Sequence, residues 1–199
     1  WTGLAGGGGN INFISKQQSG GAPISFSAIT TAQNWCASLV AFRSSGSVIV
    51  TARGGIGGVF STGQTISLSG LTAGNFLVLV LAGQDGNGDL NLGVSDSQTN
   101  NWKLAAAGDG SFTNSGGALI GQHTRVFSAP IKTNGSDTVT LTFTRTLPPG
   151  TPATNASANV EIYEVSGLVT TGPVSSLPPF WYTYIQNTSS GTFGVGSLS

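Results

Sequence analysis

Residues Ser136-Asp137-Thr138-Val139-Thr140-Leu141-Thr142-Phe143-Thr144-Arg145 alternate between apolar and hydroxyl side chains for most of their length. A period of two puts Val139, Leu141 and Phe143 on one face of an extended strand, with Thr138, Thr140, Thr142 and Thr144 on the other. Threonine is β-branched, so it favours the strand, and its hydroxyl keeps the outer face wet without charge. One face on a core and one in water is the signature of an antiparallel sheet. Ser47–Arg53 and Gln64–Leu68 repeat the alternation. Phe76-Leu77-Val78-Leu79-Val80-Leu81-Ala82 is apolar at every position and reads as a strand buried on both faces.

Working outward, the same vocabulary recurs. Ile11–Lys16, Ile24–Ile29, Trp35–Arg43, Asn101–Ala106, Leu119–Ser128, Asn159–Ser166 and Phe180–Gln186 are further strand candidates. Gly83–Asp89, Gly108–Gly117 and Leu147–Ala156 read as loops, because Gly, Asn, Asp and Pro punctuate them. No segment carries a helical period with caps. About a dozen short strands separated by turns predict an all-β chain, a β-sandwich of jelly-roll type.

Composition narrows function. Seven basic and seven acidic residues in 199 give 7% charge and a net charge of zero, against roughly 25% charge in an average soluble domain. No basic cluster exists to track phosphates, which argues against a nucleic-acid partner, and no apolar run reaches the ~18 residues of a membrane span. Apolar residues at 38% suffice for a core. The single cysteine, Cys36, reads as a small buried hydrophobe. With Trp1 first and no Met, the chain reads as processed or partial.

From Ser47 to Leu168 the motif order is distinctive. Leu71-Thr72-Ala73-Gly74-Asn75 leads into the apolar strand. Val94-Ser95-Asp96-Ser97-Gln98-Thr99-Asn100-Asn101-Trp102 follows, then Arg125-Val126-Phe127-Ser128-Ala129-Pro130, and Glu161-Ile162-Tyr163-Glu164-Val165-Ser166-Gly167-Leu168 closes the series. This order resembles secreted β-sandwich repeat modules of large bacterial surface proteins, and the resemblance implies a sandwich fold and an extracellular or cell-surface setting. In such modules a strand with Trp near its start and Phe-(Lys/Arg) at its end closes the domain. Here the matching Trp35–Arg43 precedes the first strand instead. The chain therefore divides into residues 1–43, strands that close a sandwich (its own or a neighbour's), and the main module 44–199. Strand exchange between copies, a tandem repeat cut out of phase and a permuted monomer all fit that order.

Few residues offer chemistry. Asp85, Asn87 and Asp89 space oxygen atoms at alternate positions, as a calcium loop does, with Asp96 a further ligand in reach of the sequence; a tight Asx turn is the competing reading. Asp96 and Asn101 are expected to bond backbone amides in the turn before Trp102. Glu161 and Glu164, three apart on a strand, point to opposite faces and cannot flank one bond. His123, the only histidine, has no acidic partner assignable from sequence and reads as a sheet residue. Phe180, Tyr182 and Tyr184 share a strand face and are candidates for a carbohydrate platform or an interface. Ile11, Phe13, Trp35, Leu39 and Phe42 are the candidate assembly-strand residues.

These readings add up to a non-enzymatic structural subunit of an extracellular filament, sheath or repeat array, polymerising with copies of itself head to tail through strand pairing. A polysaccharide-binding or adhesive module and a phage tail or decoration protein are the alternatives. No catalytic set and no cofactor other than calcium is expected.

Overall fold

A computed structural model of the chain describes residues 2–5, 12–15, 25–28, 44–60, 63–85, 90–113, 116–117, 119–145, 156–168 and 191–194. These hold twelve strands and no helix. Four are short: β1 (Thr2–Ala5), β2 (Asn12–Ser15), β3 (Ser25–Ala28) and β12 (Gly191–Gly194). The other eight are β4 (Ser44–Phe60), β5 (Gln64–Leu71), β6 (Phe76–Asp85), β7 (Leu90–Asp96), β8 (Lys103–Thr113), β9 (Leu119–Pro130), β10 (Gly135–Arg145) and β11 (Ala156–Leu168).

Those eight make two antiparallel sheets, one of three strands in the order β5-β10-β7 and one of five in the order β4-β11-β6-β9-β8. The chain changes sheet at every step from β4 to β8, stays in the larger sheet for the β8–β9 pair, and changes again at β10 and β11. Apart, β1 pairs with β2, and β3 pairs with β12, which ties a segment near the start of the chain to one near its end.

The sandwich follows from the alternation. Ile66, Leu68 and Leu71 of β5 and Val139, Leu141 and Phe143 of β10 share one buried core with Leu77, Leu79 and Leu81 of β6 and Val160 and Ile162 of β11. Each such side chain contributes about 1.5–3 kcal/mol by leaving water. The threonine face of β10 stays partly or wholly in water, as the period of two requires. The apolar run of β6 is buried on both faces, as predicted: Val78 joins Ala105, Ala106, Val126 and Val165 in a second cluster on the far side of the larger sheet.

Three of the longer strands differ from the sequence reading. Gly108–Gly117 was expected to be a loop, yet β8 continues through it to Thr113. Pairing with β9 supplies the backbone bonds there, and glycine at an edge costs only modest propensity. β4 likewise runs through Arg53-Gly54-Gly55-Ile56-Gly57-Gly58, and β7 is a strand that the turn-like composition around it hid. Trp35–Arg43, Phe180–Gln186 and Cys36 lie outside the described residues.

Two glycines are dictated by space. A Cβ on Gly54 would stand 3.0 Å from Ile66 Cγ2, so its absence lets β4 close onto β5. Gly167, in the Ser-Gly-Leu ending of β11, has φ of 78°, and a Cβ there would lie 2.1 Å from the Ser47 carbonyl oxygen. Gly167→Ala is expected to cost about 2 kcal/mol or more, read as a lowered urea midpoint with an unchanged slope. A neutral result would show that the β4–β11 end relaxes freely.

Candidate functional site

Seven of the chain's fourteen charged residues are gathered into three clusters. Glu164 shares its face of β11 with Val160 and Ile162, so its carboxylate enters the space between the sheets and is 4% exposed. A register shift in β4 leaves Arg53 between the partners of Ile162 and Tyr163, and this bulged residue turns to Glu164. Nε and Nη2 of Arg53 lie 2.7 and 2.6 Å from Oε2. Oε1 accepts the backbone N–H of Thr72 at 3.2 Å and the side-chain amide of Asn75. Both oxygens are engaged, so the group ties β11 to β4 and to the β5–β6 turn. Glu161 points to the other face, as expected, and lies over Gly55. There burial first, and then the Glu161 charge, push the Tyr163 phenol above its ordinary value.

Asp137, the third residue of β10, lies on the same face as Val139 and is 3% exposed. Its Oδ1 accepts from Ser97 N at 3.1 Å, Ser97 Oγ at 2.8 Å and Gln98 N at 3.2 Å, while Oδ2 accepts from Asn100 Nδ2 at 3.1 Å. Asp96 accepts from Asn100 N at 2.9 Å and from the Trp102 indole at 2.6 Å. The expected amide-bonding turn is therefore present at Asp96. Its second member is Asn100, which is buried and also accepts from Lys132 N at 3.0 Å; Asn101 is exposed. Thr99 takes a positive φ of 56° to complete the turn, a strained conformation held by these bonds.

The third cluster surrounds His123, which is 1% exposed. Strand register puts Asp109 of β8 directly opposite it, and Asp85, the last residue of β6, diagonally across. Nδ1 lies 2.7 Å from Asp109 Oδ1 and Nε2 lies 3.3 Å from Asp85 Oδ1. Arg125, two residues along β9, brings Nη2 to 2.7 Å from Asp109 Oδ1, and its Nη1 donates to the carbonyls of Gly108 and Thr124. The sequence reading found no acid for this histidine; the register supplies two. Both ring nitrogens thus face carboxylates.

Of the expected calcium ligands, Asp85 is buried against His123, while Asn87 and Asp89 lie outside the described residues. Among the described residues, no three His, Cys, Asp or Glu side chains are arranged to hold a metal ion, and no helix is long and apolar enough to cross a membrane. Phe180, Tyr182, Tyr184, Ile11, Trp35, Leu39 and Phe42 also lie outside the described residues, and Phe13 is described only as part of the β2 backbone.

The remaining feature is an edge. β4 has one hydrogen-bonded neighbour among the described strands, and along its 17 residues Ile49 is 61% and Val59 69% exposed. Its one charge, Arg53, is turned to Glu164. The opposite edge, β8, carries Lys103, the half-exposed Asp109 and a register shift between Leu104 and Ala106. An open groove runs over Ala52 to Gly57 beside Glu161. Compared with known proteins, the chain matches no family model, no curated sequence and no solved structure.

Glu164→Ala would leave the Arg53 guanidinium and the Thr72 amide without their acceptor, and is expected to cost about 3–5 kcal/mol in urea unfolding. A loss under 1 kcal/mol would mean that water replaces the carboxylate.

Burial pushes the Asp109 carboxyl up, but hydrogen bonds from His123 and Arg125, together with their charges, outweigh it and hold the group below its ordinary 3.8. A carboxyl lower in the folded than in the unfolded chain stabilises the fold above 3.8, and that contribution fades as pH falls through the lower folded value. The melting-temperature gap between the parent and Asp109→Asn should accordingly shrink on acidification from about pH 5 to about pH 2. A gap constant over that range would mean that Asp109 adds nothing through its charge.

Proposed function

We propose that the chain is a non-enzymatic structural subunit of an extracellular filament, sheath or surface repeat array, built by β-strand pairing between copies. The observation that carries this reading is the β4 edge: 17 residues, apolar side chains exposed, its single charge turned inward. Natural sheets usually blunt an edge with lysine, proline or a bulge; β4 has register shifts but no charge turned outward, whereas β8 has a shift and the exposed Lys103. Near-zero net charge adds to the case, because no long-range repulsion keeps copies apart. In the same reading the winding is a jelly roll with β8 moved to the larger sheet, and residues 1–43 form a second joint by strand exchange.

The resemblance to secreted bacterial repeat modules supports an extracellular setting. Hydroxyl-rich, charge-poor surfaces suit an ordered assembly better than a freely diffusing protein.

Negative-stain microscopy and sedimentation of the native material test the proposal. Regular particles that are multiples of the 20.0 kDa chain are expected, and Ile49→Lys with Val59→Lys should shift them toward monomer. A parent that stays monomeric at every concentration would overturn it.

A further inference from the structure

The turn between β9 and β10 holds Asn134-Gly135, the one asparagine–glycine step among the described residues. Neither the polar clusters nor the assembly reading uses it. The turn is anchored ahead of this step. Ile131, 3% exposed, donates its N–H to the Asn75 carbonyl at 2.8 Å and accepts from Gly74 N at 3.0 Å. Lys132 N donates to Asn100 Oδ1 at 3.0 Å. Asn134 itself is exposed, and its Oδ1 accepts the backbone N–H of Ala73 at 2.7 Å.

Gly135 takes a φ of 113°, and a Cβ built there would meet nothing within 4 Å. Its main-chain nitrogen therefore carries no side chain beside it and borders open space. The β10 ladder begins at this residue and shifts register directly after it, between Gly135 and Asp137. The Ala73 N–H is aimed at Oδ1, the oxygen on which negative charge develops when the side-chain amide carbon is attacked. A backbone donor in that position acts as one arm of an oxyanion hole.

We infer that Asn134-Gly135 is a self-modification site, where the folded turn deamidates its own asparagine. The Gly135 nitrogen bonds to Asn134 Cγ and loses its proton to solvent base. The Cγ–Nδ2 bond breaks, and Nδ2 takes up a proton from water and leaves as ammonia. Water then opens the resulting succinimide. Cleavage at Cγ gives an aspartyl residue with the normal main chain; cleavage at the backbone carbonyl gives the isoaspartyl form. Nothing is oxidised or reduced.

Either product adds one negative charge to a chain whose net charge is zero. The isoaspartyl form also inserts a methylene into the main chain just before Asp137, whose carboxylate holds Ser97, Gln98 and Asn100. The inference is independent of the assembly reading.

The test follows the full chain at mildly alkaline pH, folded in buffer and unfolded in urea, by isoelectric focusing and by mass mapping of its peptides. An acidic species displaced by one charge is expected. It should arise at Asn134 at least as fast in the folded as in the unfolded chain. It should also precede any change at Asn75 and Asn100, whose amides donate to Glu164 and Asp137. Slower conversion of Asn134 in the folded chain would overturn the inference, because the fold would then protect the amide. Ala73 is the second residue of a turn in which Asn75 N donates to the Thr72 carbonyl and Gly74 has a φ of 88°. Proline is favoured at that position of such a turn. Ala73→Pro should accordingly keep the turn, remove the N–H and slow the folded-state conversion; an unchanged rate would overturn the part given to the donor. Asn134→Ser should remove the acidic species, and an undiminished one would overturn the assignment. Should either variant fail to fold, the comparison of folded and unfolded parent decides alone.

Discussion

The core between the two sheets is the constraint on which everything else depends. Leu77, Leu79 and Leu81 from one sheet and Val139, Leu141 and Phe143 from the other are all 1% exposed or less. Because strand parity is strict, burying these residues fixes the direction of every side chain that shares their faces. Asp85 lies on the leucine face of β6, Asp137 on the valine face of β10, and Glu164 on the isoleucine face of β11. Each carboxylate is carried into the interior by its apolar neighbours and must find partners there. The polar clusters are thus a consequence of the core, and they lie where the core runs out toward the ends of the strands.

That arrangement shapes the surface as well. Arg53 and Glu164 satisfy one another, and so do Asp109, His123 and Arg125; Asp96 and Asp137 are consumed by the turn from Ser97 to Trp102. Of only fourteen charged residues, seven of each sign, these groupings take six. Hydroxyls and backbone amides serve the outer faces instead, which is adequate for hydration but weak as a defence against association. Internal use of charge and a surface open to contact are one design seen from two sides.

How much of this was legible in the sequence depends on the kind of signal. The alternation in Thr138–Arg145 and the unbroken apolar run Phe76–Ala82 gave the sandwich and its buried central strand, because period-two patterning is local. The glycine-rich parts of β4 and β8 were illegible, since their strand state comes from pairing partners more than 100 residues away for β4 and across a hairpin for β8. Parity held more than was drawn from it. Asp137 is in step with Val139, and His123 with Phe127, which already placed both on the core face. What parity could not give was the register that sets Asp109 opposite His123, because the β8–β9 pairing carries a one-residue shift near Ala105. The substitution of Asn100 for Asn101 as the working amide of the turn is of the same kind: one residue of register decides which side chain turns inward.

Among the described strands, the two edges of the larger sheet show what that register does to the surface. On β8 the shift at Ala105 and the exposed Lys103 spoil the ladder that another chain would need. On β4 the corresponding bulge releases Arg53, but the guanidinium is drawn to Glu164, so the one charge that could guard the edge serves the interior. The glycines from Gly54 to Gly58 give this edge little side-chain bulk of its own, and the Glu161 side chain of β11 lies over Gly55. A single ion pair therefore both ties β4 to β11 and occupies the one charge that β4 carries.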